Sequence, residues 1–173
     1  KSMILSTIID ELSENLIAFR TASVQKGFIK SVAEIISEFK RYELVPGKLK
    51  ELAEEYSEEK KDTLLANKLC DLVMLYQAFE NSLTENYSDP DDDLSVLCEK
   101  IGQSEHFKGA HIWIDEFSGF TPQEYRVIEA LLSVGQCVSV ALCTDCLQVE
   151  KRSEQDFLFE PVRNTAAKLI EIA

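Results

Sequence analysis

The sequence predicts an α/β protein with a mostly helical N-terminal part followed by a partial parallel β-α-β unit. Three observations support this fold class. Apolar residues recur at helical spacing through about the first 105 residues. Two short apolar runs, around Ile112–Ile114 and Val138–Leu142, flank one further helical segment. A strand, a helix and a strand in this order favour a right-handed parallel crossover.

The helical part divides into segments whose apolar residues are spaced three or four apart. These segments are 4–17, 28–39, a short one at 49–53, a long one at 64–83, and 94–101. Pro46-Gly47 interrupts the pattern after the second segment. Such stripes are more typical of a helical core than of a ligand site.

An aspartate-rich stretch, Asp89-Pro90-Asp91-Asp92-Asp93, precedes the segment 94–101. It does not fit a calcium loop. Counting from Asp89, the sixth and twelfth positions hold Leu94 and Lys100, where such a loop needs Gly and Glu. Asp92 or Asp93 is therefore expected to cap the next helix.

The β-α-β unit begins near Lys108-Gly109. The run Ile112-Trp113-Ile114 suits a strand buried on both faces, so Trp113 is expected in the core. Thr121 can cap the next helix, with Pro122 in its first turn and Glu124 completing a capping box. That helix should end near Gly135. Asn164 is expected to cap a last helix at 166–172.

Two parallel strands need helices on both faces and neighbouring strands at both edges. The chain supplies too few elements for that, so it is expected to be part of a larger protein. We place the boundary between the helical part, 1–108, and the α/β part, 109–173.

Composition limits the possible functions. The 173 residues include 31 acidic and 18 basic ones, for a net charge of −13, so tight nucleic-acid binding by this chain alone is not expected. No apolar run approaches the ~20 residues that span a bilayer, and no signal peptide is evident, which favours a cytoplasmic protein without membrane contact. The odd count of five cysteines argues against a disulfide framework.

The candidate chemistry lies in Asp115 and Glu116, directly after the first strand. In a nucleotide-hydrolysing motor, the first carboxylate at this position holds Mg²⁺ through water and the second polarises the attacking water. Such a site also needs a phosphate loop, G-x-x-x-x-G-K-[ST], and none occurs in the sequence. The chain therefore carries half of an ATP site, unless the two carboxylates only end a strand and cap a turn.

Four neighbouring side chains leave two interpretations open. Phe117 and Phe120 are either core residues beneath the turn or rings that stack on single-stranded bases. Gln123 and Gln148 either couple the nucleotide state to strand contact by hydrogen bonding or are ordinary helix and loop residues.

The run Asp115-Glu116-Phe117, followed by a turn and a helix bearing Tyr125, resembles motif II of UvrD-like helicases of superfamily one. Asp145 and Gln148 keep the spacing of the Gly-Asp-x-x-Gln motif of those helicases, with Thr144 in place of Gly. A more specific resemblance, to the AddB family, is carried by Ile114-Asp115-Glu116-Phe117-Ser118-Gly119-Phe120-Thr121-Pro122-Gln123-Glu124. The segments 27–31, 36–42, 68–72 and 76–79, and downstream Leu142-Cys143-Thr144-Asp145, resemble the same family.

The AddB resemblance implies the B subunit of the bacterial AddAB helicase–nuclease. That subunit pairs with an AddA subunit, resects double-strand breaks for recombinational repair, and scans DNA for a regulatory sequence called Chi. Its body is a UvrD-like P-loop NTPase with a degenerate motor. Residues 1–108 would be the helical insertion of the first lobe, and 109–173 part of its RecA-like α/β segment.

The cofactors follow from the same resemblance. ATP and Mg²⁺ are expected in the parent protein only. An iron–sulfur cluster is expected in a distant nuclease domain, so none of the five cysteines here is taken as a cluster ligand. Asp115 is the expected metal and nucleotide residue, Gln148 a second nucleotide residue, and Glu116 a catalytic residue of the parent. Phe117, Phe120 and Gln123 are the expected nucleic-acid contacts.

The sequence departs from the family at Glu116, where Gly is common. A Gly there removes the water-polarising carboxylate and fits an inactivated motor, so the retained Glu116 leaves hydrolysis by the parent open. Three functions compete. They are a noncatalytic scaffold and DNA-scanning part of AddB, an active UvrD-like ATPase lobe of another helicase, and a helical protein-interaction module. The chain alone is expected to be inactive.

Overall fold

Seven helices and two short strands follow one another in the computed structural model, which describes residues 1–58, 63–83, 88–144 and 158–173. The helices are α1 (Ser2–Leu12), α2 (Phe28–Arg41), α3 (Pro46–Glu58), α4 (Thr63–Ser82), α5 (Asp93–Ile101), α6 (Pro122–Val134) and α7 (Glu160–Ile172). The strands are β1 (His111–Ile114) and β2 (Cys137–Val140), and a 3-10 turn spans Pro90–Asp92. The chain divides into two units, Lys1–Asp92 and Asp93–Ala173.

The core of the first unit forms where α1 packs on both α2 and α4, while α3 packs along α4. Apolar residues three or four positions apart lie on one face of each helix, so these faces can meet away from water. The buried residues of this core are Leu5, Ile8, Ile9, Leu16, Val32, Ile36, Leu49, Leu75, Tyr76 and Phe79. The predicted helical part is thus confirmed.

Helix α1 ends at Leu12, earlier than the apolar pattern through Ile17 predicts. The backbone N–H groups of Ile17, Ala18 and Phe19 instead donate to the carboxylate of Asp71 in α4, at 3.0, 2.8 and 2.9 Å. In a continuing helix these groups would donate to carbonyls four residues back, so the two arrangements exclude each other. Leu16 is still buried, because the pattern marks the core rather than the end of the helix.

A buried ionic cluster joins the end of α2 to α4 and to the aspartate-rich stretch 89–93. Nζ of Lys40 lies 2.7 Å from Asp92 Oδ2 and 3.0 Å from both Asp89 Oδ2 and Glu80 Oε1. Nζ of Lys1 pairs with Asp89 and Asp91. We call Lys1, Lys40, Glu80, Asp89, Asp91 and Asp92 the Lys40 cluster. The Asp92 carboxylate, considered above as a helix cap, contributes to it.

The second unit contains the predicted crossover. Strand β1 pairs with β2 in parallel, with Ile112 opposite Val138 and Ile114 opposite Val140. Helix α6 connects the two strands and ends before Gly135, as expected. A Cβ on Gly135 would lie 3.0 Å from the carbonyl oxygen of Leu131 and 3.2 Å from Ile112 Cδ1. Glycine therefore lets the end of α6 approach β1 closely.

Two expectations for this unit are wrong. Trp113 is 78% exposed instead of buried. Side chains alternate between the faces of a strand, so Trp113 lies on the face opposite the half-buried Ile112 and Ile114. Helix α7 begins at Glu160, so Asn164 lies within the helix and does not cap it.

The coarse fold prediction holds: the described residues are mostly helical, with a two-stranded parallel sheet. Assignment of the second part to a P-loop NTPase lobe stays a prediction, as does the domain boundary after residue 108. None of the helices in the described ranges is both long and apolar enough to cross a lipid bilayer.

Candidate functional site: the acidic turn after the first strand

The acidic turn, Asp115 to Thr121, lies between the end of β1 and the start of α6. Strand β2 keeps pairing beyond its last residue, because the N–H of Ala141 donates to the carbonyl of Ile114 at 2.9 Å. Asp115 and Glu116 thus follow β1 where the two parallel strands end together. Both side chains are exposed. This is the edge of a parallel sheet at which ligands usually bind.

The backbone of the turn is strained at Glu116, whose φ is +67°. This left-handed conformation costs a residue with a side chain roughly 1 kcal/mol more than it costs glycine. Asp115 supports the conformation, because its Oδ1 accepts the N–H of Glu116 at 2.8 Å. A glycine at this position would adopt the same backbone conformation without that strain.

A cleft of about 390 Å³ opens beside the two carboxylates. Its lining residues come from the turn and from the end of β2: Asp115, Glu116, Phe117, Ser118, Ala141, Leu142 and Cys143. Among these described residues there is no lysine or arginine that could neutralise a phosphate. The described lining therefore offers oxygen ligands for a cation but does not itself supply the positive charge that a triphosphate needs.

The donor set fits Mg²⁺ only in part. Carboxylate oxygens are its preferred protein ligands, and it commonly keeps several waters and takes one or two carboxylates. Asp115 suits that role. Within the described ranges, no three His, Cys, Asp or Glu side chains are arranged to hold a metal ion. The site fits a water-mediated cation better than a closed metal centre.

A complete capping box fixes the far end of the turn. Thr121 Oγ1 accepts the N–H of Glu124 at 3.3 Å, and Glu124 Oε2 accepts the N–H of Thr121 at 2.7 Å. Each bond satisfies a donor that the first turn of a helix leaves without a partner. The predicted capping box is confirmed, and it holds the start of α6 against the acidic turn.

Gln123, an expected nucleic-acid contact, is only 3% exposed. Its Nε2 donates to Ser95 Oγ in α5 at 3.1 Å, so the amide joins α6 to α5. A direct contact with DNA would require this bond to break and the side chain to leave the interior. The role of Gln123 at a nucleic acid stays a prediction.

Phe117 and Phe120 belong to an array of rings. Their centroids are 4.9 Å apart in a stacked arrangement, and Phe120 meets Tyr125 edge-on at 5.5 Å. Nζ of Lys168 in α7 lies 4.0 Å from the centre of the Tyr125 ring. Phe117 is 42% exposed, while Phe120 is half-buried. Phe117 can therefore contact a ligand, whereas Phe120 mainly supports it.

Helix α7 supports the acidic turn through residues that the sequence did not single out. Oγ1 of Thr165 lies 3.0 Å from the carbonyl oxygen of Pro161 and 3.4 Å from that of Ser118. A Cβ on Gly119 would lie 3.3 Å from Thr165 Oγ1, so the turn passes close to α7. Thr165 and Lys168 are distant from the turn in sequence and show no local pattern that could have revealed them.

The structure brings Asp115, Glu116 and Phe117 to one cleft, and Phe120 lies directly behind Phe117. Gln148, the second expected nucleotide residue, lies outside the described residues, as does Asp145. Their relation to the cleft stays a prediction.

Comparison with known proteins gives one consistent result. A family model described as "ADDB, N-terminal" matches residues 1–173. The chain is 41% identical over 172 residues to the B subunit of the ATP-dependent helicase/deoxyribonuclease of Clostridium botulinum strain Hall. These 172 residues cover 99% of this chain and 15% of that protein. The proteins of the same name from Clostridium kluyveri and Acetivibrio thermocellus are 41% and 36% identical over 173 residues, again covering 100% of this chain and 15% of theirs. The chain thus spans about a seventh of these relatives.

Proposed function

Because the chain belongs to the AddB N-terminal family, we propose that it is part of the B subunit of an ATP-dependent helicase/deoxyribonuclease. The observation that carries this proposal is a family match over the whole chain, with relatives of that name at 41% identity. In the parent protein this part serves as a scaffold and DNA-scanning body. The parent acts in the cytoplasm, where it resects double-strand breaks for recombinational repair.

We infer that residues 109–173 are part of a RecA-like lobe and that 1–108 form its helical insertion. The parallel pair β1 and β2, joined by α6, supports this assignment, because a RecA-like sheet is built from such crossovers. Further strands of the parent would pair with the two edges that the described residues leave open.

The acidic turn is proposed as half of a degenerate nucleotide site. Asp115 would hold Mg²⁺ through water, Gln148 would contact the nucleotide, and Glu116 would polarise a water. Bound ATP and Mg²⁺ would supply the phosphate whose hydrolysis drives a motor. The left-handed Glu116 and the absence of lysine or arginine from the described lining of the cleft support the degenerate form.

A partner is implied because the relatives are named as one subunit of a larger enzyme. We propose an AddA-type helicase/nuclease subunit as that partner, with DNA bound by the assembled protein. Phe117 is the ring best placed to stack on a base, with Phe120 behind it. The net charge of −13 supports a role in which DNA affinity comes from other parts of the complex.

The second candidate is an active ATPase lobe, favoured by the retained Glu116. One experiment separates the two. The full-length subunit is assembled with a partner whose own phosphate-loop lysine has been replaced, and Mg²⁺-dependent ATP turnover and resection of linear duplex DNA are measured. We expect Glu116→Gln to leave turnover unchanged. Glu105→Gln, at an exposed carboxylate that does not line the cleft, is the control.

A loss of turnover of tenfold or more in Glu116→Gln but not in Glu105→Gln, on the order expected for a lost water-polarising group, would establish the active lobe instead. ATP turnover by the 173-residue chain alone, abolished by Asp115→Ala, would refute the proposal of half a site. If the full-length subunit joins an unmodified partner but the complex does not resect linear duplex DNA, the protein-interaction module becomes the better description.

A further inference from the structure

A second cleft, of about 460 Å³, lies among α5, β1 and α6 in the unit Asp93–Ala173. We call it the aromatic cleft. Its apolar lining includes Leu94, Trp113, Phe117, Phe120 and Val127. Trp113 is the largest exposed side chain of the described residues, and Phe117 is exposed beside it. Exposed apolar surface of this kind usually marks a binding site.

Two carboxylates, of Asp115 and Glu124, line the same cleft. One oxygen of each is used inside the turn, since Asp115 Oδ1 accepts the N–H of Glu116 and Glu124 Oε2 accepts that of Thr121. Within the residues that the structure describes, the second oxygen of each remains available to an external donor. A wholly apolar partner would bury these charges without compensation, which is costly.

The ring array next to the cleft already holds one cation. The ammonium of Lys168 lies over Tyr125, Tyr125 contacts Phe120, and Phe120 stacks on Phe117. The opposite end of the array, at Phe117, opens into the aromatic cleft. Aromatic faces beside carboxylates are a favourable environment for a guanidinium or ammonium group.

We propose that the aromatic cleft binds an arginine side chain carried by a basic segment of a partner subunit. The planar guanidinium can stack on a ring while it donates to a carboxylate, which the compact ammonium of lysine does less well. Charge favours this occupant over nucleic acid, because Asp115, Glu124 and the net charge of −13 repel phosphates. The inference concerns a protein contact and needs no nucleotide at the acidic turn, but an arginine here would compete with a base for the exposed ring of Phe117.

The chain provides its own probe, since Trp113 is its single tryptophan and lies in the cleft. We would titrate the chain with a short peptide of alternating glycine and arginine and follow tryptophan emission. The matched control peptide carries citrulline, which has the shape of arginine without its charge. We expect a saturable change with the arginine peptide, roughly tenfold weaker binding of the citrulline peptide, and a lysine peptide of intermediate affinity.

Two variants test the assignment. Glu124→Gln removes the charge but retains the capping box, which accepts Gln in that position. We expect this variant to bind the arginine peptide roughly fivefold more weakly than the unmodified chain does. Phe117→Leu keeps an apolar side chain but removes the ring and should also weaken binding. Glu129→Gln, at an exposed carboxylate of α6 that does not line the cleft, should leave binding unchanged. Circular dichroism establishes that each variant is folded.

Several results would overturn the proposal. Equal binding of the arginine and citrulline peptides would show that charge has no part in recognition. Equal weakening by Glu124→Gln and Glu129→Gln would indicate general attraction to an acidic surface. A larger emission change with oligothymidine than with the arginine peptide would assign the cleft to nucleic-acid bases. The absence of any saturable change with the arginine peptide would remove the site altogether.

Discussion

Nζ of Lys40 lies 3.0 Å from Oδ2 of Asp89, and the two side chains are 4% and 2% exposed. A pair buried this deeply loses its hydration, so it is stable only because each charge finds further partners. Lys40 finds two more carboxylates, of Glu80 and Asp92, and Asp89 finds Lys1. The Lys40 cluster thus joins the end of α2, α4 and the aspartate-rich stretch 89–93 into one network.

Replacing Lys40 by Met should destabilise the first unit by about 3 kcal/mol, because three carboxylates then lack their common cation. Urea unfolding followed by circular dichroism measures the change. Lys30→Met removes an equal charge from an exposed pair of α2 and should stay close to the unmodified chain. Similar losses for both variants would mean that the buried pairing contributes nothing particular.

The same cluster predicts a fall in stability at acid pH. Burial raises the pKa of Asp89 and of Asp91, but hydrogen bonds from Lys40 and Lys1 to Asp89, and from Lys1 and Ser37 to Asp91, outweigh it, so both pKa values lie below the usual 3.8. Their contribution is complete above the unfolded pKa and is lost as pH falls through the folded pKa. The free energy of unfolding should therefore decrease below about pH 4. If Lys40→Met shows the same acid dependence, the cluster is not its source.

Stability should also decrease at alkaline pH. Burial, together with the negative charge of Glu80, raises the pKa of Tyr76 to about 12 from its usual 10.0. A group with a raised pKa contributes fully below its unfolded pKa and loses that contribution as pH rises through the folded pKa. Unfolding free energy should fall as pH rises from about 10. Tyr76→Phe, measured over the same range, should show a smaller decrease, and an unchanged one would contradict the assignment.

Asp71→Asn should destabilise the chain by about 2 kcal/mol, because an amide has one acceptor oxygen for the three N–H groups that the carboxylate now holds. Hydrogen exchange should accelerate at the amides of Ile17, Ala18 and Phe19. Asp10→Asn, at an exposed carboxylate of α1, is the control. Unaltered exchange at these three amides would show that Asp71 does not determine the local conformation.

Glu116→Gly should stabilise the second unit by about 1 kcal/mol, because glycine adopts a φ of +67° without strain. Glu116→Ala removes the carboxylate but keeps the strain, so its stability should match that of the unmodified chain. Thermal unfolding of the two variants separates backbone from charge. Equal stabilisation by Gly and Ala would mean that repulsion between the carboxylates, and not conformation, is the destabilising factor.

Local signals explain why much of the fold can be predicted from the sequence. Helical spacing identifies α1 to α5, and the residues Thr121, Pro122 and Glu124 fix the start of α6. Each of these features depends on residues within a few positions of one another. The parallel pairing of β1 and β2 follows because a single short helix connects them.

Long-range pairing explains what the sequence conceals. Nothing near Lys40 indicates that carboxylates 40 to 52 positions away surround it. Asp71 meets amides more than 50 positions away and so ends α1 early. The apolar run around Trp113 suggests two covered faces, whereas burial depends on which layers are present. For the acidic turn after β1, the sequence identifies the carboxylates but not the left-handed backbone or the support from α7.

The Lys40 cluster also constrains how this part of the protein can evolve. Lys40 and Asp89 are almost fully buried, so loss of either leaves an opposite charge in the interior, and substitutions at positions 40, 80, 89 and 92 are coupled through them. A stable replacement requires several changes together, such as an apolar residue at 40 with neutral residues opposite it. Lineages should therefore either keep the whole set or exchange it as a block, and these positions should co-vary among relatives.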